Sequence, residues 1–477
     1  MSTQASQVTR LARNDGKHRF LSMAHLLTPG TLSRGFGRVR KKASGGVDGI
    51  TAREYQTGLS ERLRDLHGRL KTGRYRSQPL RRAYIPKADG KRRPLSIPCI
   101  EDKVVQNAVV ELIQPIYEGT FLDCSYGFRP RRGQHDALAR LRHLCRGLVS
   151  WVVEADICAY FDSIVRSKLT EMLERRIQDS SILNLIGKWM NAGILEDGRL
   201  LVTKTGTGQG QPISPLLANV YLHYVLDTWF EKAAKPRLKG EGHLVRYADD
   251  FVMCFQFESD AQLVLEHLKR RFEDYGLQLH PTKTRLLAFG RYAQEKAGRL
   301  GRSKPETFNF LGFTHVCSRS INGKFVVRLR TMRQRLARSL KAINEWCKWH
   351  MHDRLRDQRA ALNLKLAGHY NYYGVPTNYF SLNKFYRVVV RLWKRALGRR
   401  TCGHGLNWEK FNAILLLHPL MRPHSSTSWR SRASTAEEPS AGNPHARVCE
   451  GEGLDYHGEP TRARNRKRSI PPRGHLQ

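Results

Sequence analysis

Residues 243–255 read HLVRYADDFVMCF, and this stretch decides the fold. Two apolar, aromatic and β-branched runs, HLVRY and FVMCF, flank Tyr247-Ala248-Asp249-Asp250. Two strands joined by a tight turn are therefore predicted. Adjacent carboxylates at a hairpin tip repel, and each raises the other's pKa unless a cation neutralises them. An acidic turn held between strands points to a hard divalent ion, which takes oxygen ligands and bridges to phosphates. Asp also favours turns for local hydrogen-bonding reasons, so the hairpin needs support from the rest of the chain.

That support begins upstream. The segment 150–164, SWVVEADICAYFDSI, is an apolar strand ending in Asp156, with Asp162 six residues on. If this strand and the acidic hairpin share a sheet, Asp156, Asp249 and Asp250 converge and can hold two divalent ions for an in-line displacement at phosphorus. Asp162 follows Phe161 where a helix should begin, so it is expected to act as a cap. Further upstream, residues 73–98 read as two strands around a turn at Ala88-Asp89-Gly90, punctuated by Pro86, Pro94 and Pro98, which suits a sheet edge. Lys87, Lys91, Arg92 and Arg93 on that hairpin are suited to clamping phosphate oxygens. The GTGQGQ loop at 206–211 lets backbone approach a ligand closely, but it is no Walker loop. Phe161 stands where a ring can abut a nucleotide sugar and exclude a 2′-hydroxyl, with plain packing as the alternative.

Composition sharpens the class of partner. Against 42 acidic residues stand 82 Lys and Arg, a formal charge of +40 over 477 residues. Such a charge is self-repulsive unless a polyanion binds, and phosphate backbones are the commonest polyanion. Nine scattered cysteines without a CxxC pair argue against a zinc module or a disulfide frame and fit a reducing compartment. There is no signal-peptide pattern and no apolar run of the ~18 residues a membrane span needs. A soluble cytoplasmic protein with no membrane partner is expected.

Periodicity predicts helices over 54–70, 101–121, 166–195, 216–233 and 261–275, with strand-rich segments at 276–289 and 307–317. Alternating strands and helices over 150–318 suggest an α/β palm-like sheet. Residues 328–420 read as a separate helical, basic and aromatic domain. Tyr370, Tyr372 and Tyr373 within it are read as helix core in preference to base-stacking groups. Beyond about residue 423 apolar periodicity stops, and Ser, Pro, Gly and Arg dominate, as in disordered segments.

The chain resembles a group II intron reverse transcriptase/maturase, in blocks that follow the family's order to about residue 422. They are SGGVDGIT, RRAYIPKADGKRRPLSIPCIEDKVVQ, CSYGFRPRRGQHDAL, WVVEADICAYFDSI, GTGQGQPISPLLANVYLHYVLD, RYADD, GLQLHPTKT, FNFLGF and GHYNYYGV. The resemblance implies an α/β (α+β) right-hand polymerase: a basic N-terminal extension over 1–75, fingers and an RRM-like palm over 76–318, a helical thumb/maturase X domain over 325–422, and a disordered tail over 423–477. It implies Asp156, Asp249 and Asp250 as ligands of two Mg²⁺ ions, and Phe161 as the sugar gate. Lys87 and Arg93 become finger contacts to the triphosphate, Gln209 a nucleotide-pocket residue, and Lys283 a donor to the leaving pyrophosphate. The implied activity is RNA-directed DNA polymerisation in a bacterial cytoplasm, with splicing and retrohoming of the host intron. Intron RNA, DNA primer or target and dNTPs are the implied partners, and a homodimer stays open. A splicing-only maturase and a defence-associated reverse transcriptase are the alternatives. The family usually has Pro where this chain has Gly208, and a small and an aliphatic residue where it has Gln211 and Pro212. Gly208 is expected to loosen the loop and Pro212 to stiffen it. No HNH endonuclease spacing is found, because Cys402-Gly403-His404, His418, His424 and His457 lack its pattern.

Overall fold

Three sheets organise the chain in the computed structural model, which describes residues 3–86, 92–202, 205–400 and 405–424. The central one is antiparallel with order β6-β7-β3-β8, where β6 is Gly242–Tyr247, β7 Asp250–Phe255, β3 Trp151–Ala155 and β8 Arg285–Ala288. Its middle strands, β7 and β3, are apolar on both faces because helices cover them; Val152, Val153, Phe251 and Met253 are fully buried. One covering helix, Glu258–Asp274, buries Ala261, Val264, Leu268 and Phe272 at helical spacing.

A second sheet has order β2-β1-β4-β5, with β1 Leu80–Pro86, β2 Arg92–Ile97, β4 Ile194–Glu196 and β5 Arg199–Leu201. The proline-punctuated strand β2 lies at its edge, where Pro94 removes no ladder donor needed by a neighbour. Lys87 and Lys91 fall in the turn outside the described residues. The third sheet, β11-β10-β9, comprises β9 Phe308–Phe310, β10 Phe313–Arg319 and β11 Phe325–Thr331.

Several expectations are corrected. The 54–70 helix is two helices, Ala52–Gln56 and Leu59–Lys71, parted at Gly58, whose φ of 70° no helix interior accepts. The run 166–195 is helical only over Arg166–Glu174 and Ser180–Met190, before β4 begins at Ile194. Within 276–289 only Arg285–Ala288 forms a strand. Residues 328–331 belong to β11 and not to the helical block, since Val327, Leu329 and Thr331 alternate inward against β10. Nor are residues 1–75 an appendage. Phe20, Leu27, Leu32, Tyr55 and Leu66 are buried in one apolar cluster with the helix Ile100–Glu118 and the central sheet.

Downstream, helices Arg333–Trp349, Leu355–Tyr373, Tyr379–Gly398 and Trp408–Leu417 form the helical block. It is tied to the sheets at defined points. The Asn378 side chain accepts from the Thr331 N–H at 2.9 Å and donates to the Tyr373 carbonyl at 2.9 Å. His135 Nε2 meets the Tyr372 carbonyl at 2.8 Å. Tyr370 and Tyr373 are buried, in keeping with a core reading of these tyrosines. The tail from residue 425, and Cys402-Gly403-His404, lie outside the described residues. Among the described residues no helix is long and apolar enough to cross a membrane.

Candidate active site

Antiparallel pairing of β3 with β7 sets Ala155 opposite Phe251, so the next residue, Asp156, comes alongside Asp250. The β6–β7 turn, in which Tyr247 faces Asp250 and Ala248 has φ 57°, carries Asp249 at its tip. The three carboxylates therefore lie at one end of the central sheet, and both Asp249 and Asp250 feel Asp156. Burial raises the pKa of Asp249, with Asp156 raising it further and the Arg93 guanidinium opposing. Asp250 is pushed up to about 7, first by burial and then by Asp156, Asp249 and Glu154, against the Leu311 N–H that lowers it.

Lys283 lies against this cluster, with Nζ 2.5 Å from an Asp156 carboxylate oxygen. The His280 N–H donates to the Asp156 carbonyl at 2.8 Å and anchors the loop that carries Lys283. Arg93, exposed on β2, reaches the same cluster through its charge on Asp249.

The turn is braced from beneath by residues the sequence reading passed over. Arg246 on β6 is fully buried and makes a two-pronged pair with Asp227, at 2.7 and 2.5 Å. Its remaining donors reach Asn219 Oδ1 at 3.0 Å, Ser125 Oγ at 2.8 Å and the Ala248 carbonyl at 2.9 Å. Asn219 in turn donates to the Gly127 carbonyl at 2.7 Å. A Cβ on Gly127 would stand 2.4 Å from the Ala248 nitrogen, so the CSYGF segment can press on the turn only with glycine there. Asp227 comes into position on a π-helical stretch, His223–Asp227, that interrupts the helix starting at Ser214. The signal available in the sequence was an arginine inside an otherwise apolar strand, which implies a buried partner.

A second unforeseen contact comes from the FNFLGF block. Leu311, at φ 49° in the β9–β10 turn, points its N–H at the Asp250 carboxylate, 3.4 Å away.

Residues 85–315 match the model of the reverse transcriptase (RNA-dependent DNA polymerase) family. Protein YkfC of Escherichia coli is 31% identical over 323 residues, a match covering 60% of this chain and 84% of YkfC. The group II intron-encoded protein LtrA of Lactococcus lactis is 34% identical over 246 residues, 49% of this chain and 41% of LtrA. An uncharacterized 91 kDa protein in the cob intron of Schizosaccharomyces pombe is 42% identical over 162 residues, 34% of this chain and 20% of that protein.

The chain belongs to the group II intron reverse transcriptases and maturases. The family's activity is RNA-directed DNA polymerisation, and the matched segment of this reverse transcriptase contains all three sheet-end carboxylates. Its match spans most of YkfC but less than half of LtrA.

The GTGQGQ loop of the reverse transcriptase differs from expectation. Gly208 does not loosen it: the residue has φ 69°, and a Cβ there would sit 2.7 Å from Gln211 Nε2 and 3.0 Å from Leu80. Proline, locked near φ −65°, cannot adopt that conformation. The loop is instead tied down by the buried Gln211, which donates to the Thr207 carbonyl at 2.9 Å and accepts from Gln106 Nε2 at 2.7 Å. Ser214 Oγ adds bonds to the Thr207 and Gly208 carbonyls at 2.6 and 2.9 Å. The Gln209 carbonyl accepts from the Ser96 N–H on β2 at 2.7 Å, so the Gln209 backbone faces the finger strand that bears Arg93.

Phe161 is half-buried, and its carbonyl accepts from the Thr207 N–H at 3.0 Å, so it borders the same loop. Asp162 is not a cap. It lies inside the short helix Tyr160–Ser163, whose N-cap is Ala159, and the next helix is capped by Val165.

Among the described residues no group of three or more His, Cys, Asp or Glu side chains forms a ready-made metal cage. Mg²⁺ rarely uses one; it is held by one or two carboxylates with waters and substrate phosphates. Three mutually repelling carboxylates, one already pushed up to about 7, fit such an ion.

Proposed function

We propose that Asp156, Asp249 and Asp250 are the ligands of two Mg²⁺ ions in a polymerase that extends a DNA primer along intron RNA. The convergence of β3 with the acidic turn carries this reading. When bound, the ions supply Lewis-acid activation of the primer 3′-hydroxyl and charge neutralisation at the phosphates. The chain's own groups do the rest. Arg93, with Lys87, steers the triphosphate of a dNTP by its charge. Lys283, beside Asp156 and exposed, would be placed to pass a proton to the departing pyrophosphate. Phe161 and Gln209 border the pocket for the incoming sugar and base. Arg246 fixes the turn without touching substrate.

The helical block is proposed as thumb and maturase domain. Lys384, Arg387, Arg391 and Arg395 form an exposed stripe along Tyr379–Gly398, and Arg333, Arg335, Arg338 and Lys341 line an exposed face of Arg333–Trp349. Such stripes grip phosphates of structured RNA, through shape more than base edges, and support a role in splicing and retrohoming of the host intron.

The test is primer extension on an RNA template in Mg²⁺, alongside binding of the intron RNA. Asp249→Asn should lower extension by at least about 10³-fold, some 4 kcal/mol of transition-state stabilisation, while RNA binding persists. Extension by the unaltered chain no faster than by the variant would sink the polymerase reading in favour of a splicing-only protein.

A further inference from the structure

A cavity of about 340 Å³ opens where residues 16–19, the turn at Thr120–Leu122, Arg175–Arg176 and the His223–Lys232 stretch meet. That is the small end of the range for ligand-sized cavities, about 300–1,000 Å³. Every charged residue lining it is a cation: Lys17, Arg19, Arg175, Arg176 and Lys232. None of the five makes an ion pair with a carboxylate among the described residues.

Two of the walls are built and not merely charged. Arg176 is 2% exposed, and its guanidinium is held by the carbonyls of Gly16 at 2.5 Å and His18 at 3.0 Å and by the Thr120 hydroxyl. Carbonyl oxygens, that of Asp15 among them, orient this cation but do not neutralise it, and the Asp15 carboxylate acts on it without forming an ion pair. His223 is 3% exposed, lines the cavity, and its Nδ1 has no hydrogen-bond partner. Phe121 and Tyr224 pack edge-on against its ring at 5.5 and 4.9 Å, fixing its plane. The Arg175 guanidinium lies 4.8 Å from the Tyr224 ring centre and closes one side. A pinned arginine without an ion-pair partner beside an imidazole nitrogen without a hydrogen-bond partner is suited to an anion with several acceptor oxygens.

We propose that this cavity is a phosphate-binding site, separate from the carboxylate centre, and that it takes a phosphate of an RNA strand. Arg176 supplies the fixed charge, His223 a neutral donor in the tautomer that carries its proton on Nδ1, and Arg19, Lys17 and Lys232 an exposed rim that draws the strand in. The assignment stands on this cavity's own groups and does not depend on the polymerase reading.

The experiment compares the full chain carrying Arg19→Glu with Lys232→Glu against a control carrying Arg53→Glu with Lys269→Glu. All four residues are exposed, and both pairs change the charge equally. Binding of a short 5′-phosphorylated single-stranded RNA and of inorganic pyrophosphate is measured at fixed salt. The rim variant should bind RNA at least about tenfold more weakly than the control, with a shallower salt dependence. His223→Phe, which keeps a packed ring but removes the nitrogen, should weaken RNA in the same direction. Loss confined to RNA identifies a strand phosphate. Loss of pyrophosphate as well upholds the site and shows that free phosphates also enter. Equal losses in rim variant and control, or none in either, would overturn the proposal.

Discussion

Beneath the Asp249–Asp250 turn, Arg246 and Asp227 pair at 2.5 Å with neither side chain exposed. Beside the same turn, Lys283 and Asp156 pair at the same 2.5 Å with 60% and 30% of their side chains in solvent. Equal lengths conceal unequal roles. The buried pair has shed its water and has its remaining donors engaged by Asn219, Ser125 and Ala248, so neither partner can leave without stranding the other. The exposed pair is screened, and water can replace either partner at little cost. One holds the turn's shape, and the other offsets part of the charge of an acidic site.

That contrast can be broken most forcefully from below. Asp227→Ala should destabilise the chain by about 3–5 kcal/mol, because it leaves the Arg246 guanidinium buried and unpaired. Replacing both residues together by apolar ones of similar volume should cost less than Asp227→Ala alone. Denaturant unfolding of the single and double variants checks both, and a double variant as unstable as the single would mean the pair itself is not the source of the loss.

An intermediate effect of opposite sign is expected at Asp250. Its carboxyl titrates near 7 in the folded chain and near 4 when unfolded, so the fold prefers the protonated form. Stability from this group is fully present below about pH 4 and is lost as pH rises to about 7. In chelator-treated buffer at pH 8, Asp250→Asn should therefore raise the melting temperature by at least about 2 °C. The gain should vanish toward pH 4, and added Mg²⁺ should stabilise the unaltered chain more than the variant. A pH-independent difference would contradict the assignment of its cause to charge.

The smallest expected change in stability is at the exposed pair. Lys283→Met should shift unfolding by less than about 1 kcal/mol, yet slow primer extension by about 10²-fold if it donates a proton. A stability loss as large as that of Asp227→Ala would erase the distinction between the two pairs.

What the sequence made legible follows the same division. Asp156, Asp249 and Asp250 stood out because each sits at the end of a strand whose pattern is local, and β-pairing then had few ways to arrange them. Arg246 and Asp227 are 19 positions apart, and the link depends on a π-helical stretch that no periodicity announces. Leu311 was invisible because it acts through its backbone N–H, which every residue but proline has. Residues 328–331 were misread because RLRTM also fits a helical spacing. The alternation of Phe325, Val327, Leu329 and Thr331 was present but weaker than the basic helix behind it. Gly208 looked like freedom in the sequence and proved a fixed left-handed turn, since the buried amide of Gln211 that locks it lies on another part of the loop.

Leu311 carries one more consequence. Its N–H faces the Asp250 carboxylate, and its carbonyl accepts from the Tyr372 hydroxyl at 3.1 Å, near the end of the helix Leu355–Tyr373. A single residue thus bridges the helical block and the Asp250 carboxylate. A tilt of that helix would pull on the carbonyl, rotate the Leu311 backbone, and change the N–H bond that favours the ionised form of Asp250. The helical block and the acidic turn are geared together through one residue of the FNFLGF turn.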